Sequence, residues 1–232
     1  MPGSTGRPRV AVVSPLYLVS DAVASALGGH DYEVETPVWP GGRRTRSHTA
    51  RLDDVEADVG LLMTDLVPAP RLREATECLR TLDLPWLLLT GTPSGPLWGA
   101  VLDVGVQGIM PSSTGLADVV EALDRLLAGE TLVNDQERTE LVEEWHRSQS
   151  RKDGLVERVH SLTPRERTVL RMLYAGQGVG QISDALNVSE ATVRSHVKSV
   201  LHKFRVNSQL DAVAVLGWLR DDPESLDWWE SA

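Results

Sequence analysis

Residues 162–204 constrain this chain more than any other stretch, because three short helices can be read there together with their start and stop signals. In Leu162-Thr-Pro-Arg-Glu166, Thr163 is suited to the N-cap, where its hydroxyl can accept from a first-turn amide. Pro164 fits the first helical position, where no amide is needed, and Glu166 can reach back to complete a capping box. Val169, Leu170 and Leu173 then fall on one face, and Gly176 supplies the stop. A second short helix, Val179 to Leu186, buries Ile182, Ala185 and Leu186. Asn187 stands where a tight turn needs a residue that tolerates the left-handed region. Ser189 caps a third helix, and Glu190 places an acid in its first turn, where the helix dipole favours it.

In the third helix, Val193, Val197, Val200, Leu201 and Phe204 recur at helical spacing and form a buried stripe. The opposite face carries Arg194, Ser195, Lys198 and His202. One side packs while the other offers long cationic donors on successive turns, as a helix reading guanine edges in a major groove requires. Thr192, His196 and Lys203 lie at the margins, where phosphate contacts would hold such a helix in place. A merely solvated basic face explains the third helix alone about as well. It explains the whole run of capped helices, tight turn and local charge much less well.

The overall charge of −10 hides this asymmetry. Residues 158–206 hold eight cations (Arg158, Arg165, Arg167, Arg171, Arg194, Lys198, Lys203, Arg205) against three acids (Glu166, Asp184, Glu190). That segment is +5, so the remainder is −15, a basic module on an acidic body. With 20 Arg to 3 Lys, the composition hints at a GC-rich bacterial genome.

The first ~130 residues alternate apolar runs with amphipathic stretches, the pattern of a doubly wound parallel α/β sheet of five strands. The expected strands are Arg9–Val13, Tyr32–Val38, Val59–Met63, Trp86–Thr90 and Gly108–Pro111. Helices are expected around Val19–Leu27, Leu72–Leu82 and Leu116–Leu127, with an exposed loop at Pro37–Ser47. The lone cysteine, Cys78, falls in the second of these helices as packing. The expected division is a disordered tail at 1–8, an α/β domain at 9–130 and a linker at 131–157. An all-α domain of four helices at 158–222 and an acidic tail at 223–232 follow. Within the linker, a helix at Asp135–Ser148 gives way to a flexible end, and Gly154 marks the boundary.

Leu162–Leu216 resembles the helix-turn-helix domain of the LuxR/FixJ/NarL family across its four helices. The resemblance is carried by Leu162-Thr-Pro-Arg-Glu-Arg167, Val169-Leu170, Ile182, Leu186, Val188-Ser-Glu190, Thr192-Val193 and His196-Val197. Phe204, Val206, Asn207-Ser208 and Ala212-Val213 continue it. It implies that Arg194, Ser195 and Lys198 read bases, and that Thr192, His196 and Lys203 meet the DNA backbone. It also implies that the last helix, Ser208–Leu219, with Val206, Ala212 and Val213, makes a dimer on an inverted repeat. Gly178 and Gly180 depart from the family's usual cap and lysine.

The α/β part resembles, more weakly, the receiver domain of an atypical response regulator. A receiver needs an acidic pair after its first strand, an acceptor Asp ending the third and a Lys after the fifth. Those positions hold Ser14-Pro15, Met63 and Ser112, and the aromatic switch position holds Ile109. Only Thr90 is retained, and Asp65, two residues past Met63, is a weak substitute. The resemblance therefore implies a receiver shape without phosphoryl chemistry.

The expected function is transcription regulation by sequence-specific binding to double-stranded DNA, as a homodimer and independently of phosphorylation. Alternatives are a regulator gated by a small molecule or protein at the receiver-like domain, and an interaction protein that titrates another regulator. Trp39, Trp86 and Trp98 are considered as pocket-lining residues, with core packing favoured for Trp86. No nucleophile elbow, metal-ligand cluster or phosphate-binding loop is present in the sequence, so neither an enzyme nor a cofactor is expected. A single cysteine, the lack of a signal-like apolar N-terminus and the lack of a membrane-length apolar run point to the cytoplasm.

Overall fold

The computed structural model describes residues 6–45 and 48–220, in two compact units divided between His146 and Arg147. Residues 1–5 of the expected N-terminal tail and the whole acidic tail lie outside the described residues.

The first unit is built on β1 (Arg9–Val13), β2 (Glu33–Glu35), β3 (Val59–Met63), β4 (Trp86–Thr90) and β5 (Gly108–Pro111). All pair in parallel, in the order β2-β1-β3-β4-β5. Their continuous apolar runs are explained by burial on both faces. Val10, Val12, Leu61, Leu87 and Leu89 point to one core, with Leu27 of α1 (Tyr17–Gly28) and Val119, Leu123 and Leu126 of α4 (Leu116–Leu127). Val13, Leu62, Trp86 and Leu88 point to the other, with Ala75, Cys78 and Leu79 of α2 (Ala69–Thr81) and Val101 of α3 (Pro96–Asp103). Cys78 is fully buried, and burial raises its thiol pKa far above the ordinary value, so it packs as the sequence suggested. Gly60 is required by a close approach: a Cβ there would lie 2.2 Å from the Trp86 ring on the neighbouring strand.

Several elements differ from expectation. β2 is three residues long, not seven, and α3 had no counterpart in the sequence reading. The short tail is not free up to residue 8, because Pro8 O accepts from Glu33 N at 3.0 Å and Arg7 pairs with Asp31 at 3.1 Å. The loop after β2 is also anchored. Trp39 is buried, and Tyr17 donates to Arg43 O at 3.0 Å.

The expected linker is helical over most of its length. A single helix, α5, runs from Asp135 to His160 straight through Gly154. Its first half packs on α3: a Cβ at Gly99 would come within 2.1 Å of Leu141 O. Arg138 donates to Leu102 O at 2.8 Å and to Val106 O. Its last turns belong to the second unit, where Val159 is fully buried with Leu155 and Val156 against it. That unit therefore begins inside α5, not at residue 158. It continues with α6 (Pro164–Tyr174), α7 (Val179–Leu186), α8 (Glu190–Phe204) and α9 (Gln209–Arg220).

Candidate nucleic-acid interface

The helix signals of the second unit take the forms their residues dictate. Glu166 N donates to Thr163 Oγ1 at 3.3 Å and Thr163 N to Glu166 Oε2 at 2.7 Å, closing the capping box. At α7, Gly178 offers no side chain, but its amide donates to Gln181 Oε1 at 2.8 Å. Asn187 adopts φ 51°, ψ 50°, the left-handed conformation of the tight turn. Ser189 Oγ accepts from Thr192 N at 3.1 Å and starts α8.

α8 is two-faced as expected. Val193, Val197, Val200 and Phe204 are buried, and Leu201 packs against them. Arg194, Ser195, Lys198, His202 and Thr192 are exposed, with His196 half-buried. Arg194 is held by Glu190 one turn earlier, at 2.5 Å. With both partners at least half exposed, this pair is weak and easily exchanged for another anion.

The cations do not all face outward. Arg158 donates to Phe204 O, Arg165 to Leu186 O, and Arg167 to Leu162 O and His160 O. Lys203, expected at the DNA backbone, turns inward. Its ammonium donates to Glu166 Oε2 at 2.7 Å and to Ser161 O at 2.9 Å. Half of the eight cations counted from sequence thus tie helix ends together. Glu166, 5% exposed, also accepts from Ser199 Oγ. Burial pushes its pKa up, but the hydrogen bonds from Lys203, Ser199 and Thr163 outweigh this and hold it at about 2.

The expected dimer residues pack within the unit. Ala212 is fully buried in the core of the unit, while Val206 and Val213 pack against its apolar clusters. They stabilise the fold of one copy. Among the described side chains of α9, the exposed apolar ones are Leu210, 77% exposed, and Ala214 one turn on.

In the first unit, Ser14, Pro15, Met63 and Ser112 meet around one cavity beyond the carboxyl ends of the strands, together with Asp65. Thr90 is buried at the end of β4, and its hydroxyl accepts from Thr92 N at 3.1 Å. Ile109 packs partly buried among the apolar residues. Asp65 lies beyond β3, although Thr64 N adds one more bond to Leu89 O. The three tryptophans have different surroundings. Trp86 is core, Trp98 donates to Thr92 O, and Trp39 borders a separate cavity of about 270 Å³.

The second unit is a helix-turn-helix module with an exposed basic helix. Residues 160–216 match the family model described as bacterial regulatory proteins, luxR family. The chain is 30% identical over 115 residues to a nitrate/nitrite response regulator protein homolog of Haemophilus influenzae, covering 50% of this chain and 51% of the relative. It is 29% identical over 110 residues to the nitrate/nitrite response regulator NarL of Escherichia coli K12, covering 47% and 49%. The chain thus spans about half the length of the curated relatives it matches. A solved structure of the RcsB response regulator of Salmonella typhimurium aligns with 90% of this chain and 99% of its own, at 21% identity and a TM-score of 0.44. Residues 160–216 are thus similar to the helix-turn-helix domain of the luxR family, and the relatives named here are response regulators.

Proposed function

We propose that the chain is a transcription regulator of the cytoplasm that binds an inverted-repeat DNA site as a dimer and does not depend on aspartyl phosphorylation. The observation that carries this is the outer face of α8. Arg194, Ser195 and Lys198 stand exposed on a helix whose inner face is buried, so the donors are presented on a rigid support. In this reading those three residues read bases. Thr192 and His196 meet phosphates, and Lys203 contributes least because Glu166 and Ser161 already occupy it. The dimer contact shifts from the buried residues to Leu210 and Ala214.

Independence from phosphorylation rests on the carboxyl ends of the strands, where Ser14, Pro15, Met63 and Ser112 replace the groups that bind Mg²⁺ and steady a phosphoryl group. Asp65 by itself, with neither an acidic pair to hold Mg²⁺ nor a lysine, leaves the charge of a transferring phosphoryl group unneutralised. Incubating the full chain with labelled acetyl phosphate and Mg²⁺ tests this point: no incorporation is expected, and stoichiometric labelling contradicts it. Gel-shift titration at several salt concentrations tests DNA binding, which should weaken steeply as counterion release loses its drive. A second reading, a regulator gated by an effector, is favoured by the cavity at that same edge.

A further inference from the structure

The cavity beyond β1, β3 and β5 measures about 420 Å³, within the range of small-molecule sites. It lies where the sheet order reverses between β1 and β3, the crevice in which open α/β sheets bind ligands. Its lining has lost the polarity of a phosphoryl site. Pro15, Leu16, Val19, Met63 and Val67 form an apolar wall, and Leu16, Val19 and Val67 are 62%, 41% and 56% exposed. Apolar side chains left in water around a concave surface mark a binding site more often than a packing fault.

The polar groups of the lining are few, and most are already engaged. Ser14 Oγ accepts from Leu16 N at 3.1 Å, and the Thr64 hydroxyl donates to Asp65 O at 3.1 Å. Arg71 is paired with Glu74 at 3.1 Å and lies over the Trp39 ring at 5.7 Å, so its charge is largely compensated. Among the described residues Asp65 has no cationic partner. One of its oxygens accepts from Gly91 N at 2.7 Å, leaving a second acceptor oxygen, and Ser112 Oγ flanks the same Gly91. The uncompensated charge at this cavity is therefore negative, which disfavours an anion and favours a donor.

We propose that this cavity binds a small molecule with an aromatic or branched aliphatic body and one hydrogen-bond donor, a protonated amine or a hydroxyl, directed at Asp65. The proposal rests on the reading of the first unit as a receiver shape without phosphoryl chemistry, and names the class of effector that would replace the phosphoryl group.

The test uses the full chain labelled with ¹³C at the methionine methyls. Met63 lines the cavity, and Met172, in the second unit, serves as an internal control. Three probes share one aromatic body: 2-phenylethylamine, 2-phenylethanol and phenylacetate. The Met63 resonance should shift saturably with the amine and the alcohol, at about millimolar affinity for fragments of this size. The Met172 resonance should stay still, and phenylacetate should bind at least about tenfold more weakly than the amine. The amine should bind about threefold better than the alcohol, a preference that disappears in Asp65→Asn, which keeps the acceptor for Gly91.

A Met63 resonance that none of the probes moves overturns the proposal, as does phenylacetate binding as well as the amine. A Met63 shift on dilution of the protein alone assigns the face to a second copy and also overturns it. The readout involves no DNA, so its failure leaves the DNA-binding reading standing. Labelling by acetyl phosphate is what would remove the premise about phosphoryl chemistry.

Discussion

Lys203 Nζ lies 2.7 Å from Glu166 Oε2, joining the last turn of α8 to the first turn of α6 through a carboxylate that is 5% exposed. The same carboxylate caps α6 and accepts from Ser199 on α8. One side chain therefore sets the start of the first helix of the motif and the position of the helix that presents Arg194 and Lys198.

Glu166→Gln should destabilise the second unit by about 2–4 kcal/mol, because it leaves Lys203 partly buried without a counter-charge. Denaturant titration of the full chain, followed in the second unit by the Met172 methyl, measures this. The pH dependence has a definite sign. The folded pKa of Glu166, about 2, lies below its ordinary 4.5. Its contribution of about 3 kcal/mol is present in full above pH 4.5 and lost as the pH falls toward 2. Glu166→Gln should therefore flatten the acid limb of the stability curve.

Arg194→Ala and Lys198→Ala should each cost about 1–3 kcal/mol of discrimination between a specific site and random DNA, with stability unchanged. Competition gel shifts read the first quantity and thermal denaturation the second. Lys203→Ala should do the reverse, lowering stability while leaving the salt dependence of DNA binding almost unaltered. If Lys203→Ala shifts the salt slope by a full ion instead, its ammonium leaves Glu166 for a phosphate in the complex.

Gly99→Ala should destabilise the first unit by about 1–3 kcal/mol, since the new methyl meets the backbone carbonyl of Leu141, which has no flexible end to move aside. Gly60→Ala should cost a similar amount by displacing Trp86, and tryptophan fluorescence should report the shift.

Leu210→Arg should leave the fold intact, because the side chain it replaces is 77% exposed, yet weaken binding to an inverted repeat more than to a half-site. Equal loss on both sites would place the dimer contact elsewhere.

Much of this architecture was legible because local chemistry and tertiary packing agree. The strand limits of β1, β3, β4 and β5 follow from apolar runs, and the C-terminal limit of α7 follows from Asn187. α3 was missed because Pro96-Leu-Trp-Gly-Ala carries a glycine that looks like a loop residue, yet this Gly99 exists to admit the backbone of α5. Gly154 misled in the same way, since tertiary burial of Leu155, Val156 and Val159 holds the helix through it. The exposed polar face of α8 was readable from helical spacing. The inward turn of Lys203 was not, because its partners at Ser161 and Glu166 are about forty residues away in sequence. That Val206, Ala212 and Val213 pack within one copy was not readable either, because resemblance names an element but not which of its faces is already used. The resemblance grouped Ser14, Pro15, Met63, Asp65 and Ser112, but the apolar wall of Leu16, Val19 and Val67 beside them could not be read from the sequence, since these residues meet only in the folded sheet.

The most direct test of the central claim is selection of bound fragments from a random DNA library by the untreated full-length chain, run in parallel with acetyl phosphate and Mg²⁺ present. Enrichment of the same inverted repeat in both arms, lost in Arg194→Ala, is the expected result. No enrichment in either arm, or enrichment only where the phosphoryl donor is present, would contradict it.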